Sequence, residues 1–285
     1  MTELTQESTS RTVKTASGQI HYHEAGPADA HAVIMLHGSG PGATGWSNFN
    51  GQLRALSDRF RVIAPDMPGW GDSDPVSYEE RNHQQAALDF MDELGIEKAS
   101  YVGNSMGGAT SLQVAARNPD RVAGLVTLGA GAGGVRLFGA GDGPTEGLKL
   151  LQGAYRDPSP VGMAKFVDIF VYDEAFKSEE LVRQRSDNAL RHPEHLANFI
   201  AGLGRPRRGL VSDEEIASIT APTLIIHGRD DRVVHYEGSL KLCALVPNSR
   251  LVLINRCGHW AQVEHAAEFN RLLACHLDDI SIDNL

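Results

Sequence analysis

The stretch YVGNSMGGAT, residues 101–110, runs from apolar residues into Gly103-Asn104-Ser105-Met106-Gly107, a serine with a glycine two places away on each side. Such a bend is either an ordinary glycine-rich turn or a device that holds a hydroxyl out for chemistry. The flanks decide. ASYVG before it has the character of a short buried strand, and the residues after it carry helical spacing through Ala115. A G-x-S-x-G segment between strand and helix is a nucleophile elbow. Its serine takes strained backbone angles, and its glycines let neighbouring segments approach where a Cβ would clash. The hydroxyl then projects at the end of the sheet, and the Met106 N–H points toward an oxyanion from the helix start.

Working outward, GQIHYHEA (18–25) alternates and reads as an edge strand. VIMLH (33–37), RVIAP (61–65), VAGLVTLG (122–129), TLIIHG (223–228) and RLVLIN (250–255) are short apolar runs. Helical spacing marks 82–94, through Ala86, Leu88, Met91 and Leu94, with Gly95 as its cap, and again 261–277. Runs without polar alternation are strands covered on both faces. The pattern therefore predicts an α/β fold, a mostly parallel central sheet with helices on both faces. Ligands in such folds bind beyond the carboxyl ends of the strands, where HGSGPGATG (37–45), the bend and the turn after TLIIHG all fall. Between about 134 and 215 there are helical stretches (163–171, 179–190) but no strand runs. This reads as a helical lid at 134–215 inserted between two parts of one core domain, 1–133 and 216–285.

At 41% hydrophobic residues, the 285-residue chain can bury a sizeable core. Its net charge of -10 argues against nucleic acid and anionic membranes as partners, and an anionic substrate would need local positive charge. The three cysteines, Cys243, Cys257 and Cys275, are widely spaced with no zinc pattern, which fits a reducing compartment. MTELTQESTS has no apolar run, no stretch reaches the ~20 apolar residues of a membrane span, and a cytoplasmic location is expected. Residues 1–12 read as a loose tail or a contact with a neighbouring subunit.

A nucleophilic serine needs a base, and the base needs an orienting acid, in the chain order Ser, Asp or Glu, His. GRDDRVV (228–234) and CGHWAQ (257–262) each follow an apolar strand. His259 is the natural base. Asp231 is the chosen acid, with Asp230 as the neighbour that could displace it. Alone, the aspartates would be a solvated turn and His259 a helix-start histidine; in order at three strand ends they read as a triad with Ser105. The loop after VIMLH supplies the second oxyanion donor, Gly38 or Ser39, with the Ser39 N–H preferred beside that of Met106. Gly129-Ala130-Gly131-Ala132-Gly133-Gly134 satisfies G-x-G-x-x-G, but VRLFGAGDGP follows where a helix should, so a dinucleotide is not expected. His21 and His23 share a strand with no third ligand in view, and no metal is expected. His37 reads as a structural hydrogen-bonder.

Together, HGSGPGATGWSNF, GNSMGG, FVYD, GRDDR and CGHWAQVEH resemble the meta-cleavage product hydrolases from near residue 7 to the final helix. These are α/β-hydrolases that cut carbon–carbon bonds in 2-hydroxy-6-oxohexa-2,4-dienoates during aromatic degradation. The resemblance implies a small anionic dienoate substrate, no cofactor, and a homodimer or homotetramer. It implies that Arg185 grips the carboxylate and 2-oxygen, that Asn48 and Asn104 orient the dienoate, and that Trp260, Phe170 and the Gly38 loop line its pocket. Ala109 and Val263 stand where some members have histidine and tryptophan, which leaves the C6 substituent open. Two other readings compete: a serine carboxylesterase using the same triad, and a non-catalytic receptor on the same fold.

Overall fold

The computed structural model describes residues 4–134, 143–206 and 208–283. Eight strands form one sheet: β1 (Ser10–Thr15), β2 (Gly18–Ala25), β3 (Ala32–Leu36), β4 (Arg61–Pro65), β5 (Ala99–Asn104), β6 (Val122–Leu128), β7 (Thr223–Gly228) and β8 (Ser249–Ile254). Their order is β1-β2-β4-β3-β5-β6-β7-β8. From β4 to β8 every neighbouring pair is parallel; β1 and β2 run antiparallel to what they pair with. Strands β3, β5, β6 and β7 are buried along their whole length, the state their unbroken apolar runs predict.

Helices cover both faces. Among them are α1 (Gln6–Thr9), α2 (Gly45–Leu56), α3 (His83–Glu93) and α4 (Met106–Arg117). Between β6 and β7 come α5 (Glu146–Arg156), α6 (Pro160–Phe170), α7 (Glu179–Arg191), α8 (Pro193–Ala201) and α9 (Asp213–Ala217), with no strand among the described residues there. The chain ends with α10 (Glu237–Leu245), α11 (Ala261–Glu264) and α12 (Ala266–Asp283). The starts of these helices are written in side chains: Thr44, Thr145, Ser159, Ser178 and Ser212 each accept a backbone N–H of the first turn, an arrangement worth about 1 kcal/mol. One apolar cluster lies on each face of the sheet. A third, around Phe166, Val167 and Phe170, joins the helices after β6 to Val233 and Trp260 of the core.

Three expectations are corrected. Residues 1–12 are not all tail: α1 is closed by a Thr5–Ser8 capping box, and Ser10 begins a strand. In consequence β2 is not the edge strand but lies between β1 and β4. The helix expected over 261–277 is broken at His265, which caps α11 in a non-helical conformation before α12 begins. Segment 135–142, on which the argument against a dinucleotide loop leaned, lies outside the described residues; the next described helix begins at Glu146.

Candidate active site

The elbow lies between β5 and α4. Ser105 has φ 54° and ψ -112°, a left-handed conformation that side chains other than glycine rarely adopt. Close approach makes it possible: a Cβ on Gly107 would lie 2.0 Å from the Leu36 carbonyl oxygen, so only glycine lets α4 start against β3. Ser105 N–H is anchored to Leu128 O at 2.8 Å. Met106 is the first residue of α4, where N–H groups have no intrahelical acceptor and the helix dipole is positive.

The turn after β7 carries Asp231 and the turn after β8 carries His259, both buried. His259 Nδ1 lies 2.6 Å from Asp231 Oδ2. The other carboxylate oxygen accepts the N–H groups of Val233 (2.7 Å) and Val234 (3.0 Å). Burial works to raise the Asp231 carboxyl, but the facing His259 imidazole and the hydrogen bonds from His227 and His259 outweigh it and hold the acid well below the usual carboxylate range. Asp230 points elsewhere, with Oδ2 accepting the Arg256 N–H at 2.9 Å. With its Nδ1 on the acid, His259 leaves Nε2 buried and without a protein partner. Ser105 and His259 line one cavity, together with Gly38, Ser39, Gly40, Asn48, Asn104, Phe170, Arg185 and Trp260.

The loop after β3 closes one wall. A Cβ on Gly38 would sit 3.0 Å from Asn104 Oδ1 and 3.3 Å from Ser105 Cβ. His37 Nδ1–H donates to Gly38 O (2.8 Å) and its Nε2 accepts the Met67 N–H (2.9 Å), which makes it a neutral tether of this loop. Tyr155 of α5, which sequence reasoning missed, donates its hydroxyl to Ser39 O at 2.6 Å and accepts the Trp70 indole N–H at 2.9 Å. Its only signal was an aromatic in a helical stretch, which is far more often core.

The opposite wall is Arg185 from α7. It is 3% exposed, its Nε has no hydrogen-bond partner, and among the described residues no carboxylate pairs with it. The guanidinium lies 4.8 Å from the centroid of the Trp260 ring. Burial pushes its pKa down to about 10, so the group is still a cation at neutral pH. Asn104 Oδ1 is likewise buried and unpartnered, while Asn48 donates its amide to Thr44 O at 2.9 Å. Phe170 packs edge-on against His259 at 5.0 Å, and its carbonyl accepts the His259 N–H at 2.7 Å.

Of the metal expectation, one detail changes. His21 does have acidic neighbours, Asp66 and Asp72, hidden from sequence by distance. Asp66 is already committed, accepting from Gly45 N–H (2.7 Å), Asp72 N–H (3.0 Å) and the His21 ring (2.8 Å).

This fold, with a strained serine at the end of β5 and an Asp–His pair at the ends of β7 and β8, defines the α/β-hydrolase class, and residues 31–266 match the family described as alpha/beta hydrolase fold. Similarity to particular members narrows this. The chain is 44% identical over 280 residues to a 2-hydroxy-6-oxononadienedioate/2-hydroxy-6-oxononatrienedioate hydrolase of Cupriavidus pinatubonensis, covering 95% of this chain and 96% of the relative. A solved meta-cleavage product hydrolase of Pseudomonas fluorescens IP01 superposes with a TM-score of 0.84 at 35% identity, covering 94% and 97% of the two chains. The 2-hydroxy-6-oxo-6-phenylhexa-2,4-dienoate hydrolase of Rhodococcus sp. strain RHA1 gives 0.81 at 30% identity, covering 95% and 100%. The chain belongs to the meta-cleavage product hydrolases. Among the described residues no helix is long and apolar enough to cross a membrane.

Proposed function

We propose that this hydrolase cleaves the bond between C5 and C6 of 2-hydroxy-6-oxo-2,4-dienoates, with Ser105, His259 and Asp231 as nucleophile, base and orienting acid. The observation that carries the reading is Arg185: a buried guanidinium with no acidic partner among the described residues, on the wall of the cavity that holds Ser105. Leaving a charge in that state costs several kcal/mol unless an anion arrives to pair with it. An esterase has no use for such a group. A substrate with a carboxylate beside a 2-oxygen matches its planar fork.

The chemistry follows from the electron demand. Breaking a carbon–carbon bond requires the departing carbon to hold an electron pair, and a simple alkyl carbanion is far too unstable. If the dienol first becomes its keto tautomer, the pair flows into a 2-oxo acid. Arg185 and Asn104 stabilise negative charge at that end, and Asn48, Trp260 and Phe170 align the chain. Ser105 attacks the C6 ketone as His259 takes its proton, and the N–H groups of Met106 and Ser39 hold the oxyanion. The C5–C6 bond breaks, a 2-hydroxydienoate leaves, and water activated by His259 hydrolyses the acyl-serine to a carboxylic acid.

For the C6 substituent, the relatives at 42–44% identity favour a short chain ending in carboxylate. On 2-hydroxy-6-oxononadienedioate the products are then 2-hydroxypentadienoate and succinate. The helices within 134–215 act as the lid over this site, and a homodimer or homotetramer in the cytoplasm is the expected setting. The test compares purified protein on the nonadienedioate, on 6-alkyl and 6-phenyl dienoates and on a p-nitrophenyl ester. Rapid loss of the dienoate's visible band with slow ester cleavage is the expected result; the reverse ranking overturns the reading in favour of the esterase.

A further inference from the structure

Behind the acid stands a second imidazole. His227, on β7, is fully buried and lies outside the cavity. Its Nε2 faces two oxygens that can only accept, Val234 O at 2.8 Å and Asp231 Oδ2 at 3.2 Å, so this nitrogen carries a hydrogen. Its Nδ1 meets Ser239 Oγ at 2.7 Å, and that hydroxyl also lies 2.8 Å from Ala130 O. The ring is thus held at both nitrogens, between β7, α10 and the segment after β6. Asp231 Oδ2 is shared between two imidazoles, and the same His227 N–H ties it to Val234, whose own N–H binds Oδ1.

We propose that His227 is a positioning residue for the reaction: it fixes the rotation of the Asp231 carboxylate so that Oδ2 faces His259 Nδ1, and Ser239 fixes His227 in turn. The proposal rests on the triad reading above. A carboxylate held only by the Val233 and Val234 N–H groups could pivot about Oδ1. The His227 N–H at Oδ2, beside that of His259, limits that freedom. His259 is thereby kept with its hydrogen on Nδ1 and its Nε2 free to act on Ser105.

The test uses the full chain and 2-hydroxy-6-oxononadienedioate. His227→Leu removes the N–H, whereas His227→Gln can present an amide N–H at the position of Nε2. The expected result is a fall in kcat of about 10- to 100-fold in H227L, the range for lost outer-sphere partners, with KM within threefold, and recovery to within about fivefold of wild type in H227Q. A role in packing alone predicts equal losses in both variants, or no loss of kcat in H227L, and either result overturns the proposal. Should H227L fail to fold, as read by thermal melting, Ser239→Ala substitutes for it: a severalfold fall in kcat at constant KM supports the proposal and an unchanged kcat overturns it. Ser105→Ala is run beside them. Turnover near the wild-type rate there refutes the triad reading itself, whereas its loss with an unaffected H227L refutes only the second imidazole.

Discussion

The two walls of the cavity are built on opposite terms. On the core side, the acid and the loop tether are held on several sides, while His259 Nε2 and Asn104 Oδ1 stay free: Asp231 accepts from Val233, Val234 and His259 with His227 Nε2 at 3.2 Å, and His37 uses both ring nitrogens to hold the Gly38 loop. On the side of the helices between β6 and β7, Arg185 is buried against the face of Trp260, with no carboxylate partner among the described residues. Groups held on several sides keep their geometry whether or not substrate is present. An unsaturated cation is stabilised only by what binds to it. Under the proposed reading, the difference divides the work: the preorganised Asp–His pair belongs to the core, and the buried cation to the helices between β6 and β7.

The sharpest way to break this comparison is to remove the chemistry and ask whether recognition survives. Ser105→Ala should lower kcat by at least about 10⁴-fold while the dienoate still binds, seen as a persistent shift of its visible band, and Asp231→Asn should cost about 10⁴-fold through the wrong His259 tautomer. Loss of binding in Ser105→Ala would show that the two walls are not separable. The converse change is Arg185→Gln. Losing a buried charge pair with substrate is expected to reduce kcat/KM on dienoates roughly 100-fold, about 3 kcal/mol, with p-nitrophenyl ester hydrolysis within threefold. The same substitution removes an uncompensated buried charge, so its melting temperature should be about 2 °C or more above wild type. A lower melting temperature would mean that Arg185 is paired in the free protein.

A smaller effect probes the hydrogen bond that joins Tyr155 of α5 to the loop after β3. Tyr155→Phe leaves Ser39 O and the Trp70 N–H without their partner, and kcat should fall about 5- to 10-fold on esters and dienoates alike, because the loop that holds the oxyanion loosens for both. A loss confined to dienoates would place Tyr155 in recognition instead. The smallest effect concerns pH. Burial depresses His23 to about 4 and His83 to about 3, so both are neutral in the fold near pH 5 while the unfolded chain takes up protons below about 6.5. Stability is therefore full above that value and lost as pH falls toward 4. The melting temperature should drop between pH 7 and 5, and His23→Gln should drop less over the same interval.

Much of the fold was legible because parallel strands announce themselves. Largely buried on both faces, β3, β4, β5, β6 and β7 are apolar runs that end in glycine, proline or a turn; β8, at the sheet edge and partly exposed, still reads as an apolar run, and α4 follows the elbow without a break. β1 was missed because its edge position exposes alternate polar residues on a short, charged segment, SRTVKT, that looks like tail. The break at His265 was missed because the apolar spacing runs on across it; the cap conformation appears only when α11 packs against α2. Within the site, sequence left Asp230 and Asp231 as neighbours and showed nothing of Tyr155 or His227. A histidine inside TLIIHG reads as strand filler until the fold sets Ser239 and Asp231 on either side of it.

By itself the sequence determined the class of architecture and the strained serine turn, because strand periodicity, helix caps and a G-x-S-x-G turn are local properties of neighbouring residues. Only the tertiary structure decided which aspartate meets His259, that Arg185 is buried without an acid among the described residues, and that a second imidazole lies beside the acid. Those facts depend on groups far apart in the chain being brought into one low-dielectric space, where a hydrogen bond or an unpaired charge acquires its weight.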